Sequence, residues 1–371
     1  MSDFDLAPEL IYLNHAAVAP WPTRTVAAVA RFARENGRLG ARHYPRWLET
    51  EQRLRERLAR LINAPGADDI ALLKSTSEGL SLVARGLSWR AGDNIVSIAQ
   101  EFPSNRIVWE SLAGLGVELR LLDLAASSDP EGDLLALCDT HTRLLAVSSV
   151  QYASGLRLDL PRLGEDSRRH DRLFCVDAIQ QLGALRFDVQ ANLADFVVAD
   201  GHKWMLGAEG LALFYCRAEL REQLALNQFG WHMVEQAGDF ERREWTPAAS
   251  ARRFECGSPN MLGIHALEAS LELLERQGGE AIERAILEHT DFLMEEIQRH
   301  GAVPISSREP ARRSGILTFQ VPGQDPQALY QRLMQAGVVC AFRGGGIRFS
   351  PHFYNTQEEL VRALQLLREL P

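Results

Sequence analysis

The sequence predicts an α/β fold, with a mostly parallel central sheet flanked by helices and a smaller C-terminal α+β domain. Three observations carry this. Short apolar, strand-like runs alternate with helical periodicity through the first 220 residues, and such alternation builds parallel sheets covered on both faces. A long helical segment stands before the alternation, and a change of register near residues 235–260 follows it. At 371 residues the chain also exceeds what one small core serves, so a large and a small unit are expected.

The elements follow in order. The acidic opening "MSDFDLAPELIYLNHAAVAP" lacks the charged-then-apolar pattern of a signal peptide, and residues 1–22 are read as an N-terminal arm. Residues 23–64 have helical periodicity, interrupted near "RHYPRW" by Pro45, because proline lacks the N–H that a helix interior needs. Strands are expected at "DIALLK" (69–74), "NIVSIA", "VELRLLDL", "RLLAVSSV" (143–150), "RLFCVDA" (172–178), "ADFVVAD" and "GLALFYC". Helices are expected at "STSEGLSLVARGL" and "SNRIVWESLAGLG". A helix-rich stretch begins at "RFECGSPNMLGIHALEASLELLERQGG", followed by strands "GILTFQV", "VVCAF" and "IRFSP" and a last helix from Gln357. The expected division is a large α/β domain over 23–250 and a small α+β domain over 251–371.

Charge and composition exclude several functions. A formal net charge of −9 argues against nucleic-acid binding, which calls for a basic patch. Arginines in "RLRERLAR" alternate with acids at helical spacing and are expected on a solvated helix face. No apolar run approaches the roughly 20 residues that span a bilayer. Five cysteines are scattered without a CxxC pair, so free thiols and a cytoplasmic location are expected. No phosphate-loop motif is present, and no HxxxH or HxxEH pattern supports a metal site.

The chain holds only two lysines, Lys74 and Lys203, among forty basic residues. Arginine serves wherever a plain cation is enough, so a surviving lysine suggests an amine that must lose its proton. Lys203 follows the strand-like "VVAD". Other strand ends carry "KSTSEG", "SVQYASG" and Asp177 in "CVDAIQ", and ligands of open α/β sheets sit outside those carboxyl ends. A carboxylate that keeps a ring nitrogen protonated, with a lysine that forms a Schiff base, is what pyridoxal 5′-phosphate (PLP) requires of a protein.

The run "VDAIQQLGALRFDVQANLADFVVADGHKWMLGAEGLALFYCR" resembles the class V aminotransferase family of fold-type I PLP enzymes, which includes cysteine desulfurases, kynureninase and isopenicillin-N-epimerase-like proteins. The resemblance extends from "YLNHAAVAP" to "GIRFSPHFYNTQEEL". It implies that Lys203 carries the cofactor as a Schiff base and acts as the general base. Asp177 would face the pyridinium nitrogen and Gln180 the ring hydroxyl oxygen. Thr76 and Ser77 would hold the phosphate at a helix N-terminus, with His202 beside it. Gly257 and Ser258 would reach the phosphate of the other subunit, implying a homodimer with a shared active site. Arg348 would clamp the α-carboxylate of a small amino-acid substrate.

Departures from the family pattern narrow the chemistry. Asp200 stands where many relatives carry Ser or Thr, and is expected to point elsewhere, pair with an arginine or be protonated. Phe102 of "EFPSN" replaces a stacking histidine and offers an aromatic face, while Gln151 or Tyr152 replaces an asparagine. The loop before Arg348 lacks the desulfurase cysteine, and Cys340 lies in an apolar run where a thiol is inert. The resemblance therefore implies chemistry at Cα or Cβ of an amino acid, by transamination or carbon–sulfur β-elimination. Alternatives are a desulfurase with an atypical thiol, an epimerase and a catalytically silent PLP-binding protein.

Overall fold

The helical segment that opens the chain divides where Pro45 stands. In this computed structural model, which describes residues 3–369, a short strand β1 (Ile11–Tyr12) precedes helices α1 (Thr23–Leu39) and α2 (Tyr44–Leu61). Pro45 sits in the first turn of α2, where its missing N–H costs nothing. The alternation then gives β2 (Ile70–Leu73), α3 (Thr76–Gly86), β3 (Asn94–Ile98), α4 (Ser104–Glu110), β4 (Glu118–Leu122), α5 (Pro130–Ala136), β5 (Thr142–Ser148), α6 (Leu160–Arg169), β6 (Leu173–Asp177), β7 (Phe196–Asp200) and β8 (Ala212–Cys216). The rest is α7 (Met261–Gln277), α8 (Gly279–Arg299), β9 (Val303–Pro304), β10 (Leu317–Gln320), α9 (Pro326–Gln335), β11 (Val338–Val339), β12 (Ala341–Arg343), β13 (Gly346–Phe349) and α10 (Gln357–Glu369). Asp159, Asn260 and Asp325 cap α6, α7 and α9 by accepting a backbone N–H.

The first sheet has seven strands in the order β2-β8-β7-β6-β5-β3-β4. Only β8 runs against its neighbours; the other pairings are parallel. Successive side chains point to opposite faces, which explains the uninterrupted apolar strands: both faces are covered. Leu145, Val147, Phe174, Val176 and Val197 enter one core, while Leu144, Ala146, Cys175, Phe196 and Val198 enter the other.

The first core extends past residue 250. Ile264, Leu267, Leu271 and Leu274 of α7 join Leu54 and Leu58 of α2 in it. Helix α8 bridges two cores: Ile282 and Ile286 pack beneath the large sheet, and Leu293, Met294 and Ile297 beneath a four-stranded antiparallel sheet ordered β12-β13-β10-β9. The N-terminal arm crosses to this sheet's neighbourhood, where β1 pairs in parallel with β11. No described helix is long and apolar enough to cross a membrane.

One expectation is corrected. Arg55 of "RLRERLAR" does not lie on a solvated face but is buried. Its guanidinium forks onto Glu255 at 2.5 and 2.7 Å and also binds Glu51, one helical turn away. Glu255 in turn accepts the N–H of Leu72 in β2. Glu51, Glu255 and His232 bring ligand-type atoms within 4.8 Å of one another, but the guanidinium between the carboxylates already supplies the balancing charge. Removing it strands two buried anions. Arg55→Met is therefore expected to lower unfolding free energy by about 3–5 kcal/mol, measurable by urea titration; an unchanged midpoint would contradict this account.

Candidate active site

Parallel strands end on one edge of the sheet, and their carboxyl ends gather the residues singled out by sequence. Thr76 follows β2, Phe102 follows β3, Asp177 ends β6, and Asp200 ends β7 just ahead of His202 and Lys203. Helix α3 can approach because Gly79 lacks a side chain; a Cβ there would stand 2.6 Å from Val198 Cγ1.

Lys203 sits in a tight turn closed by hydrogen bonds from Leu206 N–H to its own carbonyl at 3.0 Å and from Gly207 N–H to Gly201 O at 2.8 Å. It is 9% exposed, whereas Lys74 is exposed. Burial lowers the Lys203 amine to a pKa of about 8, helped by Arg348 and Arg343 and opposed by the attraction of Asp177 and Asp200. Its Nζ lies 5.6 Å from the centroid of the Phe102 ring. The Phe102 ring also meets Tyr152 edge-on at 5.2 Å.

Asp177 is buried and accepts the N–H of Ile179 at 3.0 Å, but no cation among the described residues forms an ion pair with it. Burial raises its carboxyl to about 7, and Glu101 adds repulsion. Sequence reasoning missed Glu101, although it lies in the quoted "EFPSN". It is buried, and its oxygens accept Ser148 N–H at 2.7 Å, Gln151 Nε2–H at 2.9 Å and the Ser148 hydroxyl. Gln180 is engaged at both ends: its amide donates to Ala16 O and accepts the Trp204 indole N–H, each at 3.0 Å. One amide N–H remains for a ligand.

Asp200 points into the α3 N-terminus. Its Oδ2 accepts the Thr76 N–H at 3.0 Å, and its own N–H donates to Thr76 Oγ1 at 3.1 Å. It thus pairs with a helix end, not with an arginine, and burial raises its carboxyl pKa. Ser75, not Thr76 or Ser77, caps α3. The Thr76 hydroxyl is engaged with Asp200, while Ser77 is exposed with its hydroxyl 2.8 Å from that of Ser104. His202 Nδ1 is buried without a hydrogen-bond partner, 3.9 Å from Asp200 Oδ1; burial and then Lys203 lower this imidazole to about 4.

Arg348 enters from β13. It is 2% exposed, donates to Tyr152 O at 2.7 Å and to Asn14 Oδ1 at 3.5 Å, and leaves Nε buried and unpartnered. No carboxylate among the described residues pairs with it. Burial, then Arg343, lowers its pKa to about 9. Asn14 belongs to the arm, which sequence reasoning did not place here. Gly257 and Ser258 lie apart, partly or fully exposed in the turn before α7, and no described hydrogen bond joins them to these residues.

An unpaired buried carboxylate, an amine of lowered basicity, a face of phenylalanine, an orphaned imidazole nitrogen beside a helix N-terminus and an unpaired buried guanidinium define an enzyme site. The residues fit PLP: its ring cation would answer the Asp177 carboxylate, and its phosphate would sit by the α3 N-terminus and the unpartnered His202 nitrogen. A model of the aminotransferase class-V family matches residues 11–363. A probable cysteine desulfurase of Methanothermobacter thermautotrophicus is 30% identical over 99% of this chain and 96% of its own length. The cysteine desulfurase of Thermococcus onnurineus superposes with a TM-score of 0.86 at 26% identity, covering 98% and 94% of the two chains. A cystine C–S lyase in complex with cysteine persulfide shares the fold at a TM-score of 0.89 and 23% identity, over 98% of each chain. The chain belongs to the class-V aminotransferase family, a PLP-dependent group, and has its fold-type I architecture.

Proposed function

We propose that this enzyme binds an α-amino acid by its carboxylate at Arg348 and removes the Cα proton with Lys203. Transamination or carbon–sulfur β-elimination follows, without sulfur transfer to an enzyme thiol. The carrying observation is the buried Arg348 guanidinium, without a carboxylate partner among the described residues, close enough to Lys203 to act on its amine as Asp177 does. PLP, when bound, supplies an electron-withdrawing ring that accepts the pair released at Cα.

The chain's own residues do the rest. Asp177 would hold the ring nitrogen's proton, and Phe102 would offer an aromatic face. His202, Thr76 and Ser77 would hold the phosphate. Lys203 would hold the cofactor through its amine and take the proton at Cα; lowered basicity suits an amine for this near neutral pH. Arg348 fixes the substrate carboxylate bidentately. Gly257, partly exposed, and Ser258, exposed, stand ahead of α7 to face a second copy of the chain and complete its phosphate site, which makes the enzyme a homodimer.

The relatives' names favour cysteine desulfuration as a second reading. That reaction needs a reactive enzyme thiol that accepts the sulfur atom of the substrate cysteine. Cys340 is buried, and burial pushes its thiol up to about 12. Borohydride treatment followed by peptide mapping is expected to place the cofactor on Lys203. Cys340→Ala is expected to retain product formation from amino acids. Attachment at another residue, or sulfide release abolished by Cys340→Ala, would overturn the proposal.

A further inference from the structure

Arg348 accounts for one substrate anion, yet the hairpin that carries it presents a second cation. In the β12–β13 pair, Ala341 lies opposite Arg348, and Arg343 opposite Gly346. Cross-strand partners share a face, as do residues two apart on one strand. Arg343 and Arg348 therefore emerge from the same face of the hairpin. Gly346, opposite Arg343, has no side chain to crowd it.

The turn is short and held in place. Gly344 and Gly345 both have positive φ, 57° and 79°, as a two-residue hairpin with right-handed strand twist requires. A Cβ on Gly344 would touch Ala153 Cβ at 3.3 Å, and Gln320 Nε2–H donates to Gly345 O at 2.8 Å. Ala153 adjoins Tyr152, whose carbonyl receives Arg348. The hairpin tip thus packs on the segment that receives Arg348. Arg343 is exposed, its hydrogen bond runs only to the neighbouring Phe342 carbonyl at 2.8 Å, and no described carboxylate forms an ion pair with it. Its charge is nevertheless felt at both Lys203 and Arg348, which it pushes towards deprotonation.

Two guanidinium groups without carboxylate partners on one hairpin face repel each other, and a ligand with two negative charges offsets that repulsion. An α-carboxylate supplies one. We infer that Arg343 binds a second anionic group, and that the substrate is an α-amino acid whose side chain ends in a carboxylate. This rests on the reading of Lys203 and Arg348 given above. It adds a specificity-determining residue and a substrate class to that reading.

The test uses the holoenzyme with two acid–amide pairs, L-aspartate with L-asparagine and L-glutamate with L-glutamine. The shift of the cofactor's visible band gives an equilibrium Kd, and product assays give kcat/KM. The parent enzyme is expected to prefer at least one acid over its amide. Arg343→Ala should reduce that acid-to-amide ratio about 10–100-fold, the size of one charge-assisted contact. Arg343→Lys should restore part of it, since an ammonium keeps charge but not the planar fork. Arg348→Ala should weaken acid and amide together. Amino acids that shift the band without any preference for acids, or an Arg343→Ala ratio equal to the parent's, would overturn the inference and leave the proposed function standing. A band that no amino acid shifts would overturn both.

Discussion

Replacing Lys203 by alanine is expected to abolish borohydride-stable cofactor attachment and to lower turnover by about four orders of magnitude or more. A positioned general base alone is worth about 10²–10⁴-fold, and Lys203 is also the proposed covalent anchor. Arginine at this position should fail equally, because guanidinium does not deprotonate. The lowered amine adds a pH signature. Burial holds the Lys203 pKa at about 8, so the reactive neutral amine accumulates as pH rises through that value. Cofactor uptake by the unloaded protein should accelerate between pH 7 and 9 and then level off. Stopped-flow absorbance measures this; a rate still climbing steeply at pH 10 would mean that the amine is an ordinary exposed one.

Asp177→Asn is expected to lower kcat by about 10²–10³-fold, the range for losing one preorganised electrostatic partner of the reacting system. The same substitution should make the cofactor-free protein more stable at pH 8. Burial raises the Asp177 carboxyl from its ordinary range to about 7. A carboxyl raised on folding is neutral at no cost at low pH, and its penalty grows as pH climbs from the unfolded value through the folded one. The asparagine variant escapes that penalty, so its advantage should be present at pH 8 and absent near pH 4. Urea midpoints at the two pH values decide the matter, and a variant less stable than the parent at pH 8 would contradict it. Lost activity with gained stability separates a functional carboxylate from a structural one.

Much of this site was legible because its signals are local. Lys203 stood out by rarity, and Asp177 by its place after an apolar run. Both lie at strand ends that a parallel sheet brings to one edge whatever the loops do. Apolar runs of four to seven residues announced the strands, since a strand buried on both faces must be apolar throughout. Glu101, Asn14 and Arg343 were not legible in their roles. Glu101 looks like any exposed acid until Ser148 and Gln151 from the neighbouring β5 end enclose it. Arg55 carries the pattern of a solvated helix face, yet Glu255 lies 200 residues away in sequence and buries it.

The linear sequence by itself determined the class of fold and the family and singled out the Lys203 amine and the Asp177 acid as candidates, because periodicity, turn chemistry and strand-end position are properties of neighbouring residues. Only the tertiary structure decided the environment of each charge. Asp200 on the α3 N-terminus, Arg348 beside Asn14 of the arm and Arg55 between two carboxylates all depend on contacts between distant segments. Desolvation and Coulomb attraction act through space, so the pKa shifts that make Lys203 and Asp177 chemically useful arise only once the chain has closed around them.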